Sequence, residues 1–393
     1  MKTIIPITPH SGGLVDPKNI VGRDEFIELF WNILAYKGIS LFAERRFGKS
    51  YVIWKMHHQP KKKFVTIYKS VQGISDPEHF VDSLYEYAKE HKKLSDSIKG
   101  KFENTWNSIT SRITTAAGIK FSPTHTIWQK KLIYLINQIL ESNPRQILVI
   151  FLDEFSLMLD GMESGDAALL LGSLRDIVHD HFSKKLRFVY TGSIGMDLIL
   201  DKIRSSGHNL GDPQNHLEKK ILPPFNPEQA TYFCKCLEMG CKITLEDEVR
   251  NYIIKLTDGF PFFIDRIFDK IRYISKVDLS TIDEVLDDLL NDSGNSSNIE
   301  HFYDRIGDYY PDKELSHHIL NIICQNEKPV PENEIADKIQ STLVRDRQTI
   351  NEELNRLWRD GYLERTSIKN ERHFTFQYRI IKMWWKINKA YQV

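Results

Sequence analysis

Eight consecutive residues, AERRFGKS at 43–50, have the types and spacing of a loop that wraps a phosphate group. In such a loop successive backbone N–H groups surround the phosphate oxygens, and the helix that starts there adds its positive dipole end. Gly48 lets the main chain approach closely. Lys49 supplies a charge for the β- and γ-phosphates, and Ser50 a hydroxyl for a magnesium ion. Ala43 stands where the pattern usually has its first glycine and is the smallest residue that still leaves room. Ala43, Glu44, Arg45, Arg46, Phe47 and Gly48, with Lys49, Ser50 and Tyr51, are the candidate phosphate cradle.

The second chemical signal is ILVIFLDEF at 147–155. A phosphate loop needs a carboxylate at the end of a nearby strand to hold the magnesium shell, and Asp153 is so placed. Glu154 is the candidate to orient and deprotonate an attacking water. The plainer reading of the pair is an acidic strand end that caps the next helix. A weaker signal is TGS at 191–193, where Ser193 either touches the γ-phosphate or the lytic water, or only shapes a turn. Arg175 and Arg187 are candidates to reach a neighbouring subunit's nucleotide. ATP and Mg2+ are the cofactors these residues imply.

The elements that must position these groups alternate. A helix with Phe26, Phe30, Ile33 and Leu34 on one face precedes a short strand, Ile39 to Phe42, which leads through the loop into a helix at Gly48. Further strands are expected over Phe64 to Tyr68, Ile147 to Leu152 and Arg187 to Thr191, with a mostly helical stretch at 77–142. Its clearest helix runs from Ile127 to Leu140. This alternation predicts an α/β fold, a P-loop NTPase core with a parallel sheet. The expected organisation is a leader at 1–20, the core at 21–225 with a helical insert at about 75–142, a helical lid and linker at 226–298, and a winged helix-turn-helix domain at 299–393. The last has helices at roughly 314–325, 333–340 and 346–359 and a hairpin turning near Lys369 and Asn370.

Composition is that of an ordinary globular chain, with 53 basic and 53 acidic residues, so the surface as a whole is not built to bind polyanions. No stretch approaches the roughly 20 apolar residues that span a bilayer, and the N-terminus lacks an export signal. These features predict a cytoplasmic protein without a membrane partner. Cys234, Cys236 and Cys241 lie close together but lack a second ligand cluster, which favours packing over a zinc site. The run Lys61-Lys62-Lys63 is most simply a solvated loop.

Together the motifs resemble the prokaryotic AAA+-like ATPases often called STAND or archaeal-type ATPases. The resemblance starts at IVGRDEF (20–26), passes through the loop, the DE strand and TGS, and continues to GFPFF (259–263) and YRIIKMWWKI (378–387). It implies that Gly22 and Arg23 lie near the base and that Pro261, in the lid motif, closes over it. No arginine directly follows that motif; Arg266 is the distant candidate for a nucleotide sensor.

The last 52 residues hold 11 Lys/Arg against 6 Asp/Glu, whereas residues 281–340 hold 4 against 14. The third helix itself mixes Arg347, Arg356 and Arg359 with Asp346, Glu352, Glu353 and Asp360, a poor footprint for reading a DNA groove. The expected function is therefore an ATP-binding and ATP-hydrolysing switch whose partners are ATP and ADP, a further copy of itself or another protein. A DNA-acting ATPase that contacts duplex through the winged helix is the alternative. Trp384 and Trp385 are read as part of a terminal helix docking into its own domain.

Overall fold

The structure, a computed structural model, describes residues 3–10, 12–43, 46–91, 96–116, 118–192, 195–292 and 299–390. They form two compact units: Leu14–Leu222, and the N-terminal segment through Gly13 together with Pro223 onward.

The first unit is built on a five-stranded parallel sheet. Its strands are β1 (Gly38–Phe42), β2 (Phe64–Ser70), β3 (Ile147–Asp153), β4 (Leu186–Gly192) and β5 (Leu217–Ile221), in the spatial order β2-β3-β4-β1-β5. β3 and β4 are buried along their whole length, which is why both read as continuous apolar runs. The helices are α1 (Asp24–Leu34), α2 (Lys49–His58), α3 (Pro77–Glu90), α4 (Asp96–Ser108), α5 (Ile127–Ser142), α6 (Phe155–Gly161), α7 (Ser164–Asp176) and α8 (Met196–Ser205). α5 starts at a capping box between Thr126 and Gln129 and buries an apolar stripe that includes Trp128, Leu132, Ile133, Leu135 and Ile136. The 77–142 stretch also contains a small hairpin, Thr115–Ala116 with Ile119–Lys120, that periodicity does not announce.

The second unit opens with α9 (Pro227–Cys241), α10 (Asp247–Thr257), α11 (Pro261–Ile271) and α12 (Leu279–Leu290). Residues 3–10 lie against these helices: the Ile7 N–H donates to the Cys236 carbonyl at 3.0 Å, and Tyr232 donates its hydroxyl proton to the Thr3 carbonyl at 2.9 Å. Gly240 permits this, since a Cβ there would fall on the Ile7 backbone. Cys234 and Cys236 are buried in α9. Between α10 and α11 both Asp258 and Gly259 are left-handed, and the Gly259 carbonyl accepts from the Phe225 N–H at 2.9 Å.

From residue 299 on come α13 (His301–Tyr309), α14 (Lys313–Cys324), β6 (Val330–Pro331), α15 (Glu332–Thr342) and α16 (Arg347–Arg359); residues 293–298, in the segment read as a linker, lie outside the described residues. They lead into β7 (Leu363–Ile368) and β8 (Glu371–Phe376), then α17 (Arg379–Asn388). The antiparallel strands have the order β6-β8-β7, and Lys369 and Asn370 at the hairpin turn are both left-handed. α17 joins the two halves of this unit. Trp385 is fully buried and donates to Asn321 at 2.8 Å, Asn388 donates to the Leu290 carbonyl at 3.1 Å, and Tyr378 packs edge-on against Phe260. The tryptophan pair thus serves internal docking.

Candidate nucleotide site

The register of the sheet brings the chemical residues into one row. Leu41 of β1 lies beside Thr191 of β4, and Leu152 of β3 lies beside Tyr190, so Asp153 and Thr191 are neighbours at the C-terminal end of the sheet. β4 lies between β3 and the strand that feeds the loop, placing their ends about 10 Å apart at ordinary strand spacing. That interval suits a phosphate with its cation between a lysine and a carboxylate.

On the loop side, β1 ends at Phe42 and α2 begins at Lys49. Arg46 (φ 73°) and Gly48 (φ 89°) are both left-handed, the alternation from which anion-binding concavities are made. Phe47 between them is buried and pins the loop down. Lys49 is 6 % exposed and folds back so that its Nζ donates to the Ala43 carbonyl at 2.8 Å. Ser50 and Tyr51 follow in the first turn of α2, half-buried. Glu44 and Arg45 lie outside the described residues, as does Ser193.

The segment before α1 is tied to this loop. Gly22 is left-handed, and Arg23, 4 % exposed, donates to the Phe47 carbonyl at 3.2 Å. Burial pulls the Arg23 guanidinium down to about 9, which still leaves it charged at neutral pH. Lys55 of α2 donates to the Ile20 carbonyl at 2.7 Å and pairs with Asp24 at 2.9 Å, and Trp54 donates to the Val15 carbonyl at 3.1 Å. The Ile20-Val21-Gly22-Arg23 motif is therefore a wall held against the loop and its helix.

On the acid side, Asp153 is 5 % exposed. One carboxylate oxygen accepts from the Tyr68 hydroxyl at 2.8 Å, and the other accepts a short hydrogen bond from Thr191. No Lys, Arg or His among the described residues pairs with it. Tyr68 stands beside Phe151 on β2, so Asp153, two residues further along β3, shares its face. Burial and then the Asp153 carboxylate push the Tyr68 phenol well above its ordinary range, so it remains a donor. Glu154 is half-buried in the left-handed conformation (φ 58°, ψ 36°), and its N–H donates to the Thr191 hydroxyl at 3.4 Å. Such a backbone costs about 1–3 kcal/mol and clusters at functional sites. Its side chain makes no capping hydrogen bond to α6.

Two predicted residues fall elsewhere in the same unit. Arg187 is buried near the N-terminal end of β4, opposite the loop end of the sheet. Its guanidinium donates to the carbonyls of Ser183 and Leu186, so it is a structural tie and not a finger. Arg175 pairs with Asp176 in the last turn of α7. Arg266, in the second unit, is buried between Asp265 at 2.9 Å and Asp269 at 3.6 Å. Pro261 opens α11 in that same unit. Tyr68 and Thr191 were missed as partners of Asp153, because only the register puts them there.

The donor set fits a nucleotide with a divalent cation: a buried lysine and a serine at a helix start, a left-handed loop, and a carboxylate whose bound donors carry no charge. No family model and no curated protein matches the chain. Among solved structures it is similar to the Walker-type ATPase paby2304 of Pyrococcus abyssi (TM-score 0.62, 15 % identity, covering 95 % of this chain and 98 % of that one). It is also similar to the ORC2 protein of Aeropyrum pernix solved as ADPNP-ADP complexes (TM-score 0.50, 12 % identity, 100 % and 97 % covered). At these identities the likeness carries the fold: a P-loop NTPase core of the kind found in ORC-like ATPases, followed by a largely helical C-terminal region.

Proposed function

We propose that this chain binds ATP with Mg2+ at the core site, hydrolyses it, and uses the nucleotide state to switch domain arrangement, self-association or partner binding. One observation carries the reading. Asp153 is a buried carboxylate stabilised by two neutral hydroxyls and paired with no cation among the described residues. Burying such a charge is costly unless a counter-charge arrives, and a divalent cation is the natural one. Mg2+-ATP would supply an electrophilic γ-phosphate and a neutralised leaving group.

The chain's own residues take the remaining roles. Lys49 holds phosphate oxygens, Ser50 and Asp153 hold the cation's shell, and Glu154 orients and deprotonates water. Thr191 is bonded to the Asp153 carboxylate and the Glu154 N–H, and Ser193 is proposed to touch the γ-phosphate or the lytic water and so report the nucleotide state. Gly22 and Arg23 wall the base, and Pro261 belongs to the lid motif that the resemblance assigns to it. The ADPNP-ADP complexes of the Aeropyrum protein support the choice of ATP.

We read the C-terminal helices and hairpin as a winged helix that contacts protein in preference to DNA. Several of the basic side chains around its third helix are already paired with acids. Arg345 pairs with Asp312 at 2.6 Å, Arg372 pairs with Glu332 at 2.8 Å, and Arg347 pairs with Asp337. The test of the core reading is calorimetric titration of ATP into wild type and Lys49→Ala. Affinity should fall at least about tenfold, the loss of one charge-assisted contact; undiminished affinity would remove the loop from the site.

A further inference from the structure

The opposite end of the same sheet carries a second, unassigned feature. The turns that enter β2, β3 and β4 bring Lys62 and Lys63, Arg145, and Lys184 and Lys185 onto adjacent strands. Their closeness is fixed by the backbone: the Ile147 N–H donates to the Lys63 carbonyl at 2.9 Å, and the Leu148 N–H to the Lys185 carbonyl at 2.8 Å. Gln146 donates to the Lys62 carbonyl at 3.0 Å, and Lys185 Nζ to the Pro144 carbonyl at 2.7 Å. Three adjacent strands span about 10 Å, so these charges form one short ridge.

Lys62, Lys63, Arg145 and Lys184 are exposed and make no ion pair among the described residues, whereas Lys61 beside them is paired with Glu28. Of the acids in the same turns, Glu141, which accepts only from the neutral amides of Asn137 and Gln138, and Asp180 are the opposing charges, fewer than the basic residues gathered there. In a chain of zero formal net charge this is a local excess, and like charges gathered without partners repel one another. An anionic partner relieves that repulsion. No large apolar side chain is exposed among residues 57–63, 141–146 or 181–187, so the ridge lacks the wedge with which proteins enter a lipid surface.

We propose that this ridge, at the end of the core sheet away from the nucleotide site, docks the phosphate backbone of a nucleic acid without reading its sequence. Recognition would be by charge alone, and the C-terminal hairpin and third helix would contribute little. The proposal does not depend on ATP binding.

The test is fluorescence anisotropy of a labelled 30-base-pair duplex with the full chain across a salt series. Four neutralised phosphates predict a slope of about −3 to −4 in log K against log[salt], and about 10²-fold weaker binding at 200 mM than at 50 mM salt. The variant Lys62→Glu/Lys63→Glu/Arg145→Glu/Lys184→Glu should lose binding at least about 100-fold. Arg359→Glu/Lys369→Glu, in the C-terminal region, should bind as wild type. If the fourfold variant fails to fold, Lys62→Glu/Lys63→Glu and Arg145→Glu/Lys184→Glu taken separately should each halve the slope. Wild-type binding absent at 50 mM salt, unimpaired binding by the ridge variants, or adsorption to phosphatidylserine vesicles without duplex binding would each overturn the proposal.

Discussion

Asp153 in the core and Glu238 in α9 are buried to nearly the same degree, at 5 % and 8 % exposure, yet they are equipped for different ends. Glu238 is gripped by the Arg250 guanidinium at 2.6 and 3.0 Å, and Arg250 is completed by Asp247 and by the Leu245 carbonyl at 2.9 Å. Every charge in that cluster meets its opposite inside the protein. Asp153 instead meets two hydroxyls. Burial alone therefore does not distinguish scaffold from site; the charge of the bound donors does. A closed ion pair fixes helices, and a carboxylate solvated only by neutral donors is left with charge to neutralise.

This contrast can be broken at its stronger side first. Arg250→Ala leaves Glu238 buried and unpaired, and the second unit should lose about 3–5 kcal/mol in denaturant unfolding. Retention of full stability would show that the closed cluster is not a structural clamp. ATP binding by the core should be unchanged wherever the variant is folded.

A smaller effect is expected at Tyr68. Tyr68→Phe keeps the ring, which packs edge-on against Trp54 at 5.1 Å, and removes the hydroxyl from Asp153. Residues that orient a metal ligand typically contribute tenfold or more to metal affinity. The Mg2+ concentration giving half-maximal ATP hydrolysis should rise about tenfold with little change in melting temperature. An unchanged Mg2+ requirement would mean that Thr191 alone orients the carboxylate.

Much of the core was legible because its chemistry is local. The loop motif, the apolar run into Asp153-Glu154 and the α5 stripe are each contained in one stretch of chain, and the structure has β1, β3 and α5 where they were expected. β5 was not legible: LEKKI sets three consecutive charged residues between its two apolar ones, and only Leu217 is buried, so it reads as polar loop. Arg187 misled for a related reason. A strand-borne arginine carries no mark of whether its guanidinium reaches solvent or, as here, backbone carbonyls. The bonds from Tyr68 and Thr191 to Asp153 join residues 85 and 38 positions apart. Such pairs exist only once the strand order is known. The leader's pairing with α9 across more than two hundred residues is of the same kind.

The most direct test of the central claim is thermal unfolding of wild type and Asp153→Asn, each with ADPNP in EDTA and with ADPNP in excess Mg2+. The nucleotide-free variant should be as stable as wild type or up to about 1 kcal/mol more so, because an uncompensated buried charge has gone. In wild type, Mg2+ should add a further stabilisation that grows with the logarithm of ligand concentration, and in the variant that increment should vanish. A variant that keeps the full Mg2+-dependent increment would contradict the assignment of Asp153 to the cation, and with it the nucleotide site proposed for this sheet.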